Sequence, residues 1–473
     1  MALAHGAVRG VAQRAETTHG GRPAGRRTTR QRAPGEQHGC RRSSSPGFAL
    51  VATLAEDPTI EAAPISPAWF KARRYRHFDV PVRADHAVPL VTDPEWVARH
   101  GFYPLITFTR LTRRYDREAR KVVARPRTLA FAAHLDAHVF AWYAHQLSAR
   151  YEAAIAGTPV AEAAIAYRGR GWSHLRSARE AFAHIRGRDA CVALAFDVEA
   201  FFDTLDHALV KQAWAEALGV SRLPADHHRV YRAVTHHAGV TRQDLAAALA
   251  PLGGPGARRW CGPEAFRRIV RGGGLVRVNA LPHGLPQGVS LSTVLSNLVM
   301  RPFDEAVAAF AAGCGGWYRR YADDVLLVVP PAQADAAAAC VRAALAGRRL
   351  QEATAKFDRV TFSRGPDGTL RASRPLQYLG FLFDGRRVLV RPQSLARYQR
   401  RLKRGIRGAL QAARRHEARV VFKRQLLARH SHLGRRTFVR YVLGAARLFD
   451  EPAMRRQVRR HMARLRDVGL PPP

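Results

Sequence analysis

The chain has 473 residues, 47% of them hydrophobic, which is enough for a sizeable core and two or three substructures. Its formal net charge of +40 predicts a polyanionic partner. The five cysteines form no Cys-x-x-Cys pair, which argues against a zinc ribbon and a disulfide framework and favours a reducing cytoplasm. No apolar run approaches the ~18 residues of a membrane span, which argues against a membrane protein.

We expect residues 1–65 to form a disordered basic extension. Residues 1–48 contain nine Arg, two Glu and no apolar periodicity. One interpretation is a nucleic-acid-binding arm. The other is that this part is not translated, with a non-AUG start near Val51, because no Met lies between Met1 and Met300.

Residues 102–190 predict a hairpin followed by helices. The stretch from Arg110 to Arg127 has the pattern of a basic β-hairpin. Apolar residues at helical spacing follow in residues 129–151, and a loop at residues 166–172 leads into a second helix at 177–185.

The next segments predict a buried strand, a helical insertion and a glycine-containing loop. Residues 191–197 are a continuous apolar run that ends in one acid, Asp197, as expected for a strand that is buried on both faces. Residues 207–275 have helical character, and residues 285–297 predict a loop that opens a helix. Gly288 in that loop suits a close approach of the backbone to a substrate.

Residues 318–329 predict a hairpin with two acids, Asp323 and Asp324, at its tip. Neighbouring acids act together only where the backbone turns, because successive strand residues face opposite sides. An isolated Asp-Asp turn is usually a solvated loop. With Asp197 as a third carboxylate, however, it predicts an oxygen-rich pocket for divalent cations such as Mg²⁺.

The C-terminal part of the chain is helical and strongly basic. Residues 391–467 contain 23 Lys+Arg against four acidic residues. A solvated basic face is the ordinary explanation for such a segment. The charge is so concentrated here that contact with phosphates is favoured instead.

Four of these segments resemble the motifs of reverse transcriptases. Residues 196–203 (Phe-Asp-Val-Glu-Ala-Phe-Phe-Asp), 284–292, 321–324 (Tyr-Ala-Asp-Asp) and 379–381 (Leu-Gly-Phe) have the order and spacing of motifs A, B, C and E. The resemblance extends over residues 69–465. It implies an α/β (α+β) right-hand polymerase with an N-terminal segment and fingers at 66–190, a ferredoxin-like palm at 191–390 and a basic helical thumb at 391–473.

The same resemblance implies a role for each matching residue. The catalytic and metal-binding residues are Asp197, Asp323 and Asp324, holding two Mg²⁺ ions, with Mn²⁺ as the alternative, and Lys356 matches the candidate proton donor of motif D. Phe202 matches the steric gate that selects dNTPs. The other implied contacts are the nucleotide ligands Gln287 and Gly288, the finger arginines Arg125, Arg127 and Arg168, and the primer grip Leu379, Gly380 and Phe381.

Residues 73–79, 373–385 and 394–398 are similar to the bacterial antiviral reverse transcriptases of the "unknown group" lineage, most of all to the single-gene type two defence system. This resemblance implies that a structured non-coding RNA is copied into cDNA in antiphage defence, and it names no protein partner. Alternatives are template-independent or protein-primed DNA synthesis, a group II intron or retron enzyme, and a non-catalytic RNA-binding scaffold.

Overall fold

The computed structural model describes residues 66–116, 121–169, 171, 173–250, 258–417, 420–466 and 468, without the side chains of residues 112–116, 121, 122, 125 and 466. The predicted extension at 1–65 lies outside the described residues. The strands are β1 (Leu105–Asp116), β2 (Lys121–Phe131), β3 (Ala190–Asp197), β4 (Ala238–Thr241), β5 (Arg277–Val278), β6 (Trp317–Tyr321), β7 (Asp324–Val329), β8 (Asp358–Arg364), β9 (Leu370–Ala372), β10 (Leu376–Tyr378), β11 (Phe381–Phe383) and β12 (Val388–Val390).

Helices occur throughout the described chain. They are α1 (Ala84–Thr92), α2 (Pro94–Arg99), α3 (His134–Ile155), α4 (Val160–Ala163), α5 (His174–Arg186), α6 (Phe201–Thr204), α7 (His207–Leu218), α8 (Ala225–Thr235), α9 (Arg242–Leu249), α10 (Pro263–Ala265), α11 (Ser290–Gly313), α12 (Ala334–Ala346), α13 (Pro392–Arg415), α14 (Arg424–His430), α15 (Phe438–Leu448) and α16 (Pro452–Arg466). None of the helices in the described ranges is long and apolar enough to cross a bilayer.

The central sheet has five strands in the order β6-β7-β3-β8-β9, and every pair in it is antiparallel. Side chains of β3 alternate between two cores: Val192 and Leu194 join the cluster that contains α11 and α12. Cys191 and Ala193 join the cluster that contains α5 and α15. The apolar run is therefore a strand covered on both faces, and this prediction is confirmed.

A second sheet, in the order β2-β1-β4-β5, contains the predicted basic hairpin β1–β2. The prediction that residues 207–275 are helical is wrong for β4, which pairs in parallel with β1, with Leu105 opposite Gly239. Val240 of β4 is buried in a cluster with Ile106 and Phe78. Four residues are too few for a periodic signal, so this strand depends on its pairing with β1 and β5.

The basic C-terminal part is helical, as predicted, and joins the central sheet through the three-stranded sheet β10-β11-β12. Helix α13 begins with Pro392, which suits the first helical turn because its missing N–H would have no partner there. Its Tyr398, Leu402 and Ala413 are buried, while Lys403 and the arginines between them cover the opposite face. The helix thus buries one apolar stripe and presents cations elsewhere.

Candidate active site

The three predicted acids meet at one edge of the central sheet. The register of β3 and β7 sets Asp197 directly opposite Asp324. Asp323 lies in the turn before β7, where its carbonyl oxygen accepts a hydrogen bond from Val198 N at 3.2 Å. Strand pairing alone therefore brings the three acids to neighbouring backbone positions.

A buried arginine supports the turn that carries Asp323. Tyr321 pairs with Asp324, so Ala322 and Asp323 form the tip, and Ala322 has a φ of 59°. Arg320 is 1% exposed and donates from Nη1 to the Ala322 carbonyl at 3.1 Å. Its Nη2 forms an ion pair of 2.6 Å with Asp304 on α11. A left-handed alanine is strained, and this buried pair holds it in place.

The pKa values of Asp323 and Asp324 are both raised. Burial, together with the charges of Asp323 and Asp197, raises the pKa of Asp324 to about 7, although Lys356 and Arg391 oppose the rise. Burial also raises the pKa of Asp323, again with a contribution from Asp197. Carboxyl groups that are crowded together resist ionisation unless enough positive charge is close by. A bound cation would supply that charge.

The chemistry of this donor set fits a hard divalent cation. Mg²⁺ is usually bound through one or two carboxylates together with waters and substrate phosphates. In the described ranges no three His, Cys, Asp or Glu side chains already stand in a geometry that holds a metal ion. The inference of a cation site therefore rests on the preference of such cations for carboxylate oxygens and on the crowding of Asp197, Asp323 and Asp324.

Lys356 lies against the same acids. Its ammonium forms an ion pair with Asp197 Oδ1. The short helical turn Thr354–Lys356 is held there because Ala353 N donates to the Asp197 carbonyl oxygen at 2.7 Å. The predicted proton donor is thus within reach of the acids, although no sequence signal indicated this ion pair.

Phe202 lies just beyond the acids, on the four-residue helix α6. Its ring is 7% exposed, and its carbonyl oxygen accepts a hydrogen bond from Leu285 N at 2.7 Å. That bond fixes α6 against the loop that contains Gln287 and Gly288. The predicted gate residue therefore stands between the acid-bearing strand and the predicted nucleotide loop.

A chain of hydrogen bonds connects the basic hairpin with that loop. Arg127 Nε donates to Gln287 Oε1 at 2.6 Å, and Gln287 Nε2 donates to Asp203 Oδ1 at 3.2 Å. From the sequence alone, Asp203 and Asp206 are predicted to be turn or helix-start residues. The structure adds a second role, since Asp203 orients the amide of Gln287 and with it the guanidinium of Arg127.

Gly288 is required where the loop meets β2. Its φ is +109°, and a Cβ there would lie 2.5 Å from the carbonyl oxygen of Ala130. Ala130 N donates to the Gln287 carbonyl oxygen at 2.8 Å, so the two segments are in direct backbone contact. The close approach expected for a substrate is therefore, in the described residues, an approach to the β2 strand.

Residues 150–383 match the family model described as reverse transcriptase (RNA-dependent DNA polymerase). This span contains all three acids, Phe202, the Gln287 loop and Lys356. Residues 150–383 form a reverse transcriptase domain. The expected α/β right-hand polymerase fold is confirmed.

Solved telomerase structures resemble the chain at low identity. Apo telomerase from Candida tropicalis, truncated from the C-terminal domain, is 10% identical over 65% of this chain and 60% of its own, with a TM-score of 0.39. Telomerase from Candida albicans in complex with a fragment of telomeric RNA is 13% identical over 63% and 47%, with a TM-score of 0.37. The chain thus spans less than two thirds of both telomerases, and no curated protein matches it in sequence.

The three arginines predicted to contact template or triphosphate differ in their surroundings. Arg127 is exposed and belongs to the hydrogen-bonded chain described above. Arg125 lies in β2 opposite Thr112, and its side chain lies outside the described part.

Arg168 does not fit the predicted role. Its side chain is 3% exposed, and its Nε and Nη2 form a double ion pair of 2.6 Å with Glu152. Its Nη1 donates to the carbonyl oxygens of Ala161 and Ala164. The guanidinium is engaged inside the reverse transcriptase domain and holds its loop, so we correct the prediction that it binds substrate.

The predicted primer grip divides into a turn and a core residue. Leu379 and Gly380 form a two-residue turn with φ values of 44° and 94°, which suits a type I′ hairpin. Phe381 is fully buried and packs on Phe449 with ring centroids 5.0 Å apart. The turn can meet a primer, and Phe381 anchors the hairpin against Phe449 at the end of α15, so the primer grip stays a prediction.

Sequence reasoning missed the polar residues beneath the catalytic hairpin. Asn297 and Asp304 are seven residues apart on α11, two turns along the same buried face. Both accept hydrogen bonds from Arg320. Two polar residues on an otherwise apolar helical stripe were a readable signal of a buried network.

Proposed function

We propose that this chain is an RNA-directed DNA polymerase that extends a primer with dNTPs along an RNA template. The observation that carries the proposal is the antiparallel pairing of Asp197 with Asp324, with Asp323 in the adjoining turn, inside a reverse transcriptase domain. The raised pKa values of Asp323 and Asp324 support a cation between the acids.

Asp197, Asp323 and Asp324 would hold two divalent ions, Mg²⁺ or in its place Mn²⁺. Bound there, such ions lower the pKa of the primer 3′-hydroxyl and neutralise the departing pyrophosphate. The protein contributes the geometry: β3 and β7 fix the carboxyls, and Arg320 fixes the turn between them. This preorganisation spares the acids a rearrangement during the reaction.

The remaining site residues act on the nucleotide. Lys356 keeps an ammonium beside Asp197 and gives its proton to the pyrophosphate oxygen as the bond to the nucleotide breaks. Arg127, with its guanidinium oriented by Gln287, binds the triphosphate. Phe202 lies beneath the sugar and excludes a 2′-hydroxyl.

The chain's basic surface is suited to a duplex of template and primer. Helix α13 presents arginines and Lys403 on the side opposite its buried stripe. Burial lowers the pKa of Arg397, and the charges of Arg391 and Arg401 at α13 and of Arg110 on β1 lower it further, so Arg110 lies within electrostatic range of the α13 cations. Neighbouring like charges are stabilised by a polyanion bound between them.

For the biological setting we propose antiphage defence in the cytoplasm of a bacterium, with a structured non-coding RNA as the dedicated template and cDNA as the product. The support is the similarity of residues 73–79, 373–385 and 394–398 to the antiviral "unknown group" reverse transcriptases.

The deciding experiment isolates the protein from its native operon and sequences the bound RNA and DNA. Wild type is compared with Asp323→Asn, and with Asp189→Asn, an exposed acid paired with Arg364, as the matched control. We expect one RNA species in all three samples, and complementary DNA in wild type and Asp189→Asn only. RNA without DNA in any sample, even after phage challenge, would favour an RNA-binding scaffold, and DNA without complementary RNA would favour untemplated synthesis.

A further inference from the structure

Tyr167 has a backbone conformation that tyrosine rarely adopts. Its φ is 64°, in the left-handed region where a Cβ is crowded. Such residues cost free energy, persist only when their surroundings hold them, and concentrate at functional sites. Tyr167 lies in the loop between α4 and α5, inside the reverse transcriptase domain, and no motif assigns it a role.

Contacts on both sides hold this loop in place. Before Tyr167, Ile165 N donates to the Arg320 carbonyl oxygen and Asn297 Nδ2 donates to the Ala166 carbonyl oxygen, both at 3.0 Å. After it, Arg168 is bound to Glu152 at 2.6 Å. The loop is thus tied to the same arginine that supports the catalytic turn, and these contacts offset the strain at Tyr167.

The ring of Tyr167 points to the proposed nucleotide site. It is 45% exposed, and its centroid lies 6.3 Å from that of Phe202 at an interplanar angle of 61°, an edge-to-face contact. Burial raises the pKa of its phenol, the charge of Asp323 raises it further, and Arg127 lowers it. The phenol therefore lies within electrostatic range of Asp323 and of Arg127.

Phe202 needs such a neighbour. It stands on a helix of four residues that follows Ala200, another left-handed residue with a φ of 44°. Besides Tyr167, Phe202 has one further ring contact among the described aromatic residues, with Phe201 at 5.3 Å on the same short helix. Phe202 also belongs to the buried apolar cluster that contains α11, and among the described aromatic residues Tyr167 supplies its ring contact from outside α6.

We propose that Tyr167 is a positioning residue for sugar selection, and that its ring fixes Phe202 so that a nucleoside triphosphate with a 2′-hydroxyl is excluded. The inference rests on the proposed function, because it assigns Phe202 to the sugar. It goes beyond that function by making selectivity depend on a strained tyrosine in a different loop. The contacts of Arg168 and Asn297 hold the backbone of Tyr167 in its left-handed conformation.

The test uses the full chain on an RNA template whose DNA primer ends in a dideoxynucleotide. Affinity for the next dNTP and for the corresponding rNTP is measured from the stability of the ternary complex, so no chemical step is needed. Tyr167→Gly removes the ring at a φ that glycine tolerates. Tyr167→Phe keeps the ring and is the matched control. The unfolding midpoint of each variant shows that it is folded.

We expect Tyr167→Gly to lower the preference for dNTP over rNTP at least tenfold, chiefly through tighter rNTP binding, and Tyr167→Phe to keep the wild-type preference. Because Tyr167 acts through Phe202, the double variant Tyr167→Gly/Phe202→Ala should be no less selective than Phe202→Ala alone. A merely structural tyrosine would alter the unfolding midpoint and leave the preference unchanged.

Two results would overturn the inference while leaving the polymerase intact. One is an unchanged preference in Tyr167→Gly, and the other is an additive loss in the double variant. A wild-type protein that forms no nucleotide-stabilised complex on the primer and template would instead refute the proposed function, and this inference with it.

Discussion

The reverse transcriptase domain contains two short hairpins that look alike locally and differ in how they are held. The catalytic hairpin β6–β7 turns at Ala322 and Asp323, and the grip hairpin β10–β11 turns at Leu379 and Gly380. Each turn begins with a non-glycine residue at positive φ, 59° for Ala322 and 44° for Leu379.

Their supports are different. At the catalytic turn, the buried guanidinium of Arg320 donates to the Ala322 carbonyl oxygen and the amide of Val198 donates to the Asp323 carbonyl oxygen. At the grip turn, the amide of Arg391 donates to the Gly380 carbonyl oxygen at 3.2 Å, and no atom lies within 4 Å of a Cβ built on Gly380. Under the proposed function, the more tightly held hairpin aligns carboxylates, and the hairpin with more space at its turn guides a primer.

The largest effect should come from removing the support of the catalytic turn. Asp304→Ala leaves the guanidinium of Arg320 buried without its counter-charge, and we expect a loss of about 3–5 kcal/mol in the free energy of unfolding, measured in urea. The exposed acid variant Asp335→Ala serves as the control. A loss below about 1 kcal/mol would show that this pair does not support the turn.

The next effect concerns catalysis beside that turn. A positioned proton donor contributes roughly 10²–10⁴-fold to a rate, so Lys356→Ala should slow single-nucleotide incorporation by about 10²-fold or more. Lys356→Arg keeps the charge beside Asp197 but cannot release its proton. An arginine variant as fast as wild type would show that the charge alone matters.

Changes at the grip turn should be smaller. Gly380→Ala meets no neighbouring atom but keeps a φ of 94°, so it should cost about 1–2 kcal/mol of stability. Gly288→Ala has the same backbone problem and also places a Cβ 2.5 Å from the Ala130 carbonyl oxygen. Thermal unfolding of the two variants should therefore rank Gly288→Ala as the more damaging; equal losses would contradict this steric argument.

The smallest effect should distinguish a core residue from a primer contact. Phe381→Leu is a modest change of volume in a packed core, with an expected cost of about 1.5 kcal/mol or less. Because Phe381 is fully buried, primer affinity should remain at the wild-type value. A drop in primer affinity without a loss of stability would support the primer contact that the sequence predicts for Phe381.

Much of the catalytic hairpin could be predicted from the sequence. An apolar run ending in Asp197, and a hairpin pattern with two acids, are local signals, because strand periodicity and turns depend on neighbouring residues. A shared cation site for the three carboxylates also predicts that the strand ending in Asp197 lies beside this hairpin. The amphipathic, basic α13 was equally readable from its spacing and charge.

The roles of individual arginines and aromatics could not be read in this way. Arg127 and Arg168 look alike in the sequence, yet one is exposed beside Gln287 and the other is enclosed by Glu152. Phe381 is predicted to belong to the grip from its motif, and its side chain is buried against Phe449, a distant partner that the motif does not indicate. A side chain's partners come from distant segments, and no local pattern encodes them.

The sequence by itself determined the alternation of strands and helices, the acids at the strand ends and the cationic C-terminal part, because each depends on residue type and short-range spacing. Only the tertiary structure decided that β4 joins the β1 edge, that Asp203 orients Gln287, and that Tyr167 lies beside Phe202. These contacts depend on which surfaces meet when the sheets and helices pack, and packing is a property of the whole chain.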